Sequence, residues 1–216
     1  MLKLKLFEEN REPKILCLGA HPDDIEIGCG GTILRILEEK PEAQFRWTVF
    51  SGNQKRREEA NQSADLLLKK TKYKRIDVEQ FKESYFPFIG AQIKDIFEKI
   101  KTEFFPDLIF THYSNDAHQD HHLISELTWN TFRDHFILEY EIPKYEGDLG
   151  KPNFYVRLSE SYVKQKTRHI LSLFQTQHTK RWFDEETFRS ILRLRGIECN
   201  SPSKFAEAFY CRKIVL

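Results

Sequence analysis

The stretch from residue 14 to residue 37 changes its hydrophobic pattern at a turn rich in polar side chains. Residues 14–20, KILCLGA, form a short apolar run that is typical of a buried strand. After the turn, apolar side chains recur at helical spacing, at Ile25, Ile27, Ile33, Leu34, Ile36 and Leu37. The pattern predicts a strand, a sharp turn and a helix. In open α/β sheets, the turn at such a strand end is where ligands bind.

Side chains in this turn can hold a metal ion. Pro22 fixes its own φ and disfavours helix at His21, so the chain leaves the strand in a set direction. His21 and Asp24 can face one point, and an imidazole with a carboxylate suits a cation such as zinc. Asp23 lies between them and can serve as a general base toward water at the metal. The alternative is that Asp23 and Asp24 cap the helix and His21 is a turn residue.

A second polar cluster, HYSNDAHQDHH at 112–122, follows another apolar run at 107–111 and precedes a helical pattern. The two turns would meet at one edge of a parallel sheet. His121 can then complete a set of two histidines and one carboxylate with an open position, as in catalytic zinc sites. His118 can face the same cavity as an acid or oxyanion donor. Asp120 can hold His118 or His121 through the second ring nitrogen.

Both motifs resemble those of the PIG-L/LmbE-like deacetylases, which include N-acetylglucosaminyl-phosphatidylinositol de-N-acetylase. The specific matches are AHPDD at 20–24 and HQDH at 118–121, and looser ones are RREEA at 56–60 and FAEAF at 205–209. Many members have Glu directly after the double Asp, whereas this chain has Ile25 and then Glu26. The departure changes a flanking contact and leaves all the expected ligands in place.

The resemblance implies a role for each residue of the two motifs. Asp23 would be the general base, and His118 would stabilise the oxyanion or protonate the leaving amine. Asp120 would orient one of the histidines. The implied metal is Zn²⁺, with Fe²⁺ as the alternative, and its ligands would be His21, Asp24 and His121.

Arg56 stands at the start of a predicted helix, at the same sheet edge as the first motif. It can contact an anionic or hydroxyl-rich substrate. Equally, it can pair with Glu58 or Glu59 on a solvated helix face.

Strands and helices are predicted to alternate along most of the chain. Strands are expected over 14–20, 45–50, 75–79, 107–111, 136–142, 154–158 and 206–215, with an extra edge strand as one interpretation of 1–13. Helices are expected from the first turn to about residue 40, over 55–70 and 89–104, after 122, and over 161–174 and 184–195. This alternation predicts a Rossmann-like, doubly wound and mainly parallel α/β sheet with helices on both faces, as a single domain spanning 1–216.

The unit at 136–158 is predicted to lie near the mouth of the site, where long loops often set substrate choice. Tyr145, Tyr155 and Trp129 are candidates for stacking on a sugar, although ordinary packing is the simpler interpretation of each. His178 lies in a polar linker, and we expect it to be solvated and outside the site.

Composition limits the partners and the compartment. The 34 basic and 33 acidic side chains give a net charge of +1, so nothing favours nucleic acid. Four widely spaced cysteines predict reduced thiols in a cytoplasmic protein. We expect no signal peptide and no integral membrane segment. A peripheral membrane contact and a homo-oligomer both stay open.

The leading hypothesis is a zinc-dependent deacetylase that hydrolyses the N-acetyl amide of a small-molecule amino sugar or sugar conjugate. A second hypothesis is a metal hydrolase acting on a non-sugar amide. A third is a non-catalytic metal-binding protein of the same fold. Asp23 and His118 argue against the third, because a protein that only binds metal needs neither of them.

Overall fold

The computed structural model describes residues 4–8 and 11–215, and this part of the chain forms one seven-stranded sheet. The strands are β1 (Lys14–Gly19), β2 (Gln44–Ser51), β3 (Tyr73–Phe81), β4 (Leu108–His112), β5 (Phe136–Tyr140), β6 (Phe154–Leu158) and β7 (Phe205–Tyr210). The helices are α1 (Asp24–Glu39), α2 (Gln54–Leu67), α3 (Gly90–Glu103), α4 (Gln119–Thr131), α5 (Glu160–Leu173) and α6 (Glu185–Glu198), with short 3₁₀ turns at Phe86–Phe88 and Gln175–Gln177.

The strand order β3-β2-β1-β4-β5-β7-β6 confirms the predicted doubly wound sheet. The pairs β1–β2, β2–β3, β1–β4 and β4–β5 are parallel, whereas β7 runs antiparallel to both β5 and β6. The chain winds outward from β1 through β2 to β3, and then returns to place β4 on the other side of β1. The carboxyl ends of β1 and β4 therefore flank the point where the winding reverses.

The sheet separates two apolar cores, as the alternation along β1 requires. Ile15 and Cys17 belong to a cluster with side chains of α1, α2, α5 and α6, whereas Leu16 and Leu18 belong to a cluster with side chains of α3 and α4. Helices thus cover both faces. Within 4–8 and 11–215, no helix has the length and apolar character needed to cross a membrane.

Several element boundaries differ from those expected from the sequence. The closing strand ends at Tyr210 rather than at residue 215, because the Cys211 N–H donates to the Asn153 side chain at 2.8 Å instead of continuing the ladder. β3 extends over Tyr73–Phe81, which is longer than predicted. Residues 4–8 and 11–13 form no strand, and the rest of the proposed edge strand lies outside the described residues. Helix α4 begins at Gln119, inside the second motif.

Candidate metal centre and active site

The turn after β1 is short, and its backbone sets the direction of each polar side chain. Asp23 adopts a left-handed conformation with φ of 96°, which is uncommon for a residue other than glycine. It occupies the N-cap position of α1, but its side chain makes no capping bond. Asp24 turns back instead, and its Oδ2 accepts a hydrogen bond from the His21 N–H at 2.7 Å. The alternative that these aspartates serve as ordinary caps is therefore wrong.

The turn after β4 delivers its side chains through the first turn of α4. His118 is the N-cap residue, and its Nδ1 accepts a hydrogen bond from the Asp120 N–H at 3.2 Å. Asp120 and His121 then lie in the first helical turn, and both are buried. The early start of α4 is what directs these two side chains toward the turn after β1.

Three of the predicted site residues converge on one point. His21 Nδ1 lies 3.0 Å from His121 Nε2. Asp24 Oδ2 lies 3.6 Å from each of these two nitrogens. Ligands about 2.1 Å from a tetrahedral zinc ion are about 3.4 Å apart. The three donor atoms therefore have the spacing that such an ion requires.

Two carboxylates behind the histidines fix which ring nitrogen carries a proton. Asp120 Oδ2 lies 3.0 Å from His21 Nε2, and Asp116 Oδ2 lies 3.0 Å from His121 Nδ1. Asp120 thus bonds the ring of His21, and the expectation that it holds His118 or His121 is wrong. The reason is that the 83–88 loop binds Asp120 from the other side, with N–H donors from Ser84 at 2.6 Å and from residue 86 at 3.1 Å.

A proton or a metal ion between the two imidazoles would satisfy this arrangement. With protons on the nitrogens that face carboxylates, His21 Nδ1 and His121 Nε2 present lone pairs to each other at 3.0 Å. Two facing lone pairs repel unless a proton or a metal ion lies between them. Histidines backed by carboxylates are also the usual surroundings of zinc ligands. The residues present therefore fit a bound zinc ion.

Electrostatics keep the carboxylate charged and one imidazole neutral. Burial alone would raise the pKa of Asp24, but the imidazoles of His121, His112 and His21 outweigh it and hold that pKa well below its usual range. Burial also lowers the pKa of His121 to about 3. A charged oxygen ligand and a neutral nitrogen ligand are the forms that bind metal.

Asp23 lies beside this centre without joining it. Its Oδ2 is buried and has no hydrogen-bond partner in the described part of the chain, and its Oδ1 lies 3.5 Å from Arg56 Nη2. Burial raises the pKa of Asp23 to about 7, although the Arg56 charge opposes the rise. A carboxyl group with a free oxygen and a pKa near neutrality is suited to accept a proton.

Arg56 is buried against the first motif. It donates to the Pro22 carbonyl at 3.0 Å and forms an ion pair with Glu83. The interpretation that it pairs with Glu58 or Glu59 is wrong, because α2 begins at Gln54 and directs Arg56 into the site. Glu59 instead accepts from the N–H of residue 176 at 3.0 Å.

His118 is partly exposed above the other two imidazoles. Its ring centroid lies 4.9 Å from that of His21 and 4.6 Å from that of His121. Burial, with a contribution from His21, lowers the pKa of His118. Because Nδ1 accepts from the Asp120 N–H, the neutral ring carries its proton on Nε2 and can donate it to a ligand. A ring nitrogen of His118 also lies within 4.8 Å of ligand atoms of His21 and His121.

Sequence reasoning missed two residues of the site, His112 and Asp116. His112 is fully buried, its Nε2 accepts from the Ala20 N–H at 2.9 Å, and this nitrogen lies 3.2 Å from Asp24 Oδ2. Together with Asp24 and His121 it forms a second group that could hold a metal ion. A histidine at the last position of a buried strand that feeds the site was the available signal. For Asp116 the signal was its place five residues before His121.

The other aromatic candidates make ordinary contacts. Trp129 Nε1 donates to Glu139 at 2.6 Å, and the Tyr155 hydroxyl donates to the Pro152 carbonyl at 2.8 Å. Tyr145 is 70% exposed, and its hydroxyl accepts from the Arg181 N–H at 3.2 Å. His178 is exposed but lies outside the site, with Nε2 2.8 Å from the carbonyl oxygen of residue 171.

Comparison with known proteins identifies the family. The model of the GlcNAc-PI de-N-acetylase family, PIG-L, matches residues 16–132. The match covers more than half of the 216-residue chain and includes both motifs. The chain belongs to this family. The resemblance inferred from AHPDD and HQDH is thereby confirmed.

Several solved structures have the same fold as this PIG-L-family chain over nearly its full length. A conserved protein from Thermus thermophilus has a TM-score of 0.75 and 18% identity, covering 94% of this chain and 96% of its own. N,N'-diacetylchitobiose deacetylase from Pyrococcus horikoshii has a TM-score of 0.68 and 20% identity, with 95% and 87% covered. The 4-carboxy-2-hydroxymuconate hydratase from Pseudomonas putida has a TM-score of 0.69 and 16% identity, with 94% and 98% covered. The last two are named for different reactions, so the fold alone does not determine the chemistry.

Proposed function

We propose that this protein is a zinc-dependent de-N-acetylase that hydrolyses the N-acetyl amide of an amino sugar or sugar conjugate in the cytoplasm. The observation that carries the proposal is the convergence of His21 Nδ1, Asp24 Oδ2 and His121 Nε2, with Asp23 Oδ2, which has no hydrogen-bond partner among the described residues, beside them. Membership of the PIG-L family and the likeness to a chitobiose deacetylase support a sugar-related substrate. Fe²⁺ is the alternative metal for the same donors.

The chain's own groups can perform the proton transfers of amide hydrolysis. Zinc held by His21, Asp24 and His121 would supply a Lewis acid that polarises the acetyl carbonyl and makes water more acidic. Asp23 accepts a proton from the attacking water through its free oxygen. The water oxygen bonds to the acetyl carbon, the C–N bond breaks, and the leaving nitrogen takes the proton that Asp23 accepted, which gives acetate and the free amine.

His118 suits the role of oxyanion donor. Its Nδ1 is occupied by the Asp120 N–H, so the proton of the neutral ring is on Nε2, at the exposed edge of the site. From there it can donate to the carbonyl oxygen as that atom becomes negative. Loss of one such donor typically slows turnover by about a hundred- to a thousandfold.

Arg56 and Glu83 would form the wall that binds the sugar hydroxyls. Their ion pair adjoins Asp23, and hydroxyl groups can both donate to a carboxylate and accept from a guanidinium. The loop that carries Glu83 also binds Asp120 through the Ser84 N–H, so the wall is tied to the metal centre.

The test combines metal analysis with acetate release by the purified protein. We expect about one equivalent of bound zinc and release of acetate from N-acetylglucosamine or N,N'-diacetylchitobiose. An N-acetyl amino acid represents the non-sugar amides. If the protein cleaves only this compound, its substrate is a non-sugar amide and the proposed sugar substrate is wrong. Bound zinc without acetate from any amide tested would favour a non-catalytic metal-binding protein.

The role of Asp23 as general base has a direct test. We expect Asp23→Asn to retain zinc and to lower kcat by about a hundred- to ten-thousandfold, because the amide cannot accept the proton. Asp95→Asn, on the exposed side of α3, is the matched control and should retain full turnover. Full activity of Asp23→Asn would remove this residue from the mechanism.

A further inference from the structure

The loop that joins β5 to β6 has a buried lysine at its base. The side chain of Lys144 is only 7% exposed, although its neighbour Tyr145 is 70% exposed. Lys144 Nζ lies 3.0 Å from Asp116 Oδ2, and it donates to both oxygens of Asp148, at 2.7 and 2.6 Å. One ammonium group thus lies between two carboxylates.

Both carboxylates hold the segment that leads into α4. Asp116 Oδ1 accepts from the His118 N–H at 2.8 Å, while its Oδ2 faces His121 Nδ1 at 3.0 Å. Asp148 Oδ2 accepts from the Ala117 N–H at 2.7 Å. A continuous set of polar contacts therefore runs from the β5–β6 loop through Lys144 and Asp116 to a proposed metal ligand.

The charge of Lys144 is what makes this arrangement stable. Asp116 and Asp148 both contact one Nζ, and two carboxylates this close to each other repel when they are withdrawn from water. Burial lowers the pKa of Lys144, but hydrogen bonds and charges from Asp148 and Asp116 more than offset this and raise it. Lys144 therefore stays charged and holds both carboxylates in place around its Nζ.

We propose that Lys144 is a positioning residue for the metal centre: its contact with Asp116 Oδ2 holds that carboxylate against His121 Nδ1, so that His121 presents Nε2 to the metal. This inference rests on the proposed function only in taking His121 as a metal ligand. It also assigns the β5–β6 loop a task in the metal centre. Because coupling between two sites is reciprocal, metal binding should in turn order the base of this loop.

The rest of the loop is fixed at the end opposite Lys144. The Gly150 N–H donates to the Tyr210 hydroxyl at 2.9 Å, and its carbonyl accepts from Arg195 at 3.2 Å. The tip, by contrast, is exposed at Tyr145 and at Gly147, which has a φ of 65°. The loop can thus accept changes at its tip while its base remains part of the centre.

The direct test is the dissociation constant of Zn²⁺, measured by competition with a chelator, for Lys144→Met. Loss of an outer partner of a metal-ligating histidine typically weakens metal binding by about ten- to a hundredfold, and we expect a loss of about tenfold. Lys151→Met is the matched control, because this lysine is in the same loop and is exposed. Lys144→Arg keeps the charge and should recover most of the affinity.

A spectroscopic measurement separates positioning from a general loss of structure. Nitrogen NMR of the metal-free protein should show His121 protonated at Nδ1 in the wild type and a mixture of both tautomers in Lys144→Met. If Lys144→Met does not fold, the double variant with Asp148→Asn removes one charge of each sign, and the same loss of affinity is expected. Wild-type affinity and an unchanged tautomer in a folded variant would overturn the inference. Failure of the wild type itself to bind Zn²⁺ would instead count against the proposed function.

Discussion

The turn after β1 and the turn after β4 bring their side chains to the same point, but different forces hold them. The first turn has a strained residue at Asp23 and a carboxylate that bonds back to the His21 N–H, and it leads directly into the largely buried α1. The second turn is longer, and its side chains are held by acids and by Lys144 from a loop more than twenty residues further on. Packing fixes the first turn, and a polar network fixes the second.

This difference predicts which property a substitution in each turn should change. Gly28 of α1 packs so closely on Tyr140 that a Cβ would come within 2.2 Å of the ring. Changes there should act on folding. Asp116 is held by polar contacts with the His118 N–H and Lys144, and it sets the tautomer of His121. Changes there should act on metal binding.

The largest expected effect is loss of metal when either turn loses a ligand. Zinc-finger peptides bind Zn²⁺ with a free energy of about 10–16 kcal/mol in total, which is about 3 kcal/mol for each ligand. We therefore expect His21→Ala and His121→Ala each to weaken Zn²⁺ binding by about a hundredfold or more. Chelator competition measures both constants on the same scale.

His122→Ala is the control for this pair. His122 is exposed, and its Nδ1 lies 2.8 Å from the Ser114 carbonyl, outside the proposed ligand set. It should bind Zn²⁺ as the wild type does. A loss in only one of the two ligand variants would show that the turns do not share one ion, and the comparison between them would then fail.

The sequence predicted the first turn better than the second, and the reason is the range of the interactions. Apolar spacing around residues 20–31 reports local packing, so the elements there and the convergence of His21 with Asp24 could be expected. The partner of the Asp120 side chain could not be predicted, because it depends on where α4 begins and on the 83–88 loop. Lys144 gave no sign of its role, since a lysine in a polar loop is usually solvated.

The same limit applies to the fold. The parallel core around β1 followed from the alternation of strand and helix patterns. The end of β7 could not be predicted, because a single side chain, that of Asn153, binds the Cys211 N–H and ends the ladder. The burial of Arg56 also escaped prediction, since it depends on the start of α2 and on the distant Glu83.

An intermediate effect would sharpen the claim that packing fixes the first turn. Gly28→Ala must displace Tyr140, which is fully buried and whose hydroxyl donates to the Leu18 carbonyl at 2.6 Å. Overpacking of this kind costs about 1–3 kcal/mol, and we expect a loss of that size in the free energy of unfolding, measured with urea on the metal-free protein.

Gly30→Ala is the matched control in the same helix. A Cβ at Gly30 has its nearest contact at 3.8 Å, so it meets no obstacle. Alanine favours helix over glycine by about 1 kcal/mol, and this variant should be as stable as the wild type or more so. Equal stability of the two variants would contradict the view that contact with Tyr140 fixes α1.

The smallest expected effect concerns the outer support of the first turn at acidic pH. Buried Glu26 of α1 bonds Ser63 of α2, whose hydroxyl lies 2.8 Å from His169 Nε2 on α5. Burial lowers the pKa of His169 to about 4, although its contact with Ser63 opposes the shift. The surrounding groove also carries an excess of positive charge, with Glu38 as its acid and Lys69, Lys70, Lys164 and Arg168 as its bases.

The sign of the pH effect follows from this lowered pKa. Below a pH of about 6.5 the unfolded chain protonates His169 while the folded protein does not, so stability falls as the pH drops toward about 4. Between about pH 8 and about pH 5 we expect this histidine to account for about 1–2 kcal/mol of the loss. Urea unfolding of His169→Gln should show a loss smaller by that amount, whereas exposed His178→Gln should follow the wild type. His121 of the second turn adds to the same slope, because burial lowers its pKa to about 3, but this contribution is common to the wild type and both variants. Identical slopes in His169→Gln and the wild type would mean that acid does not act on the first turn through α5.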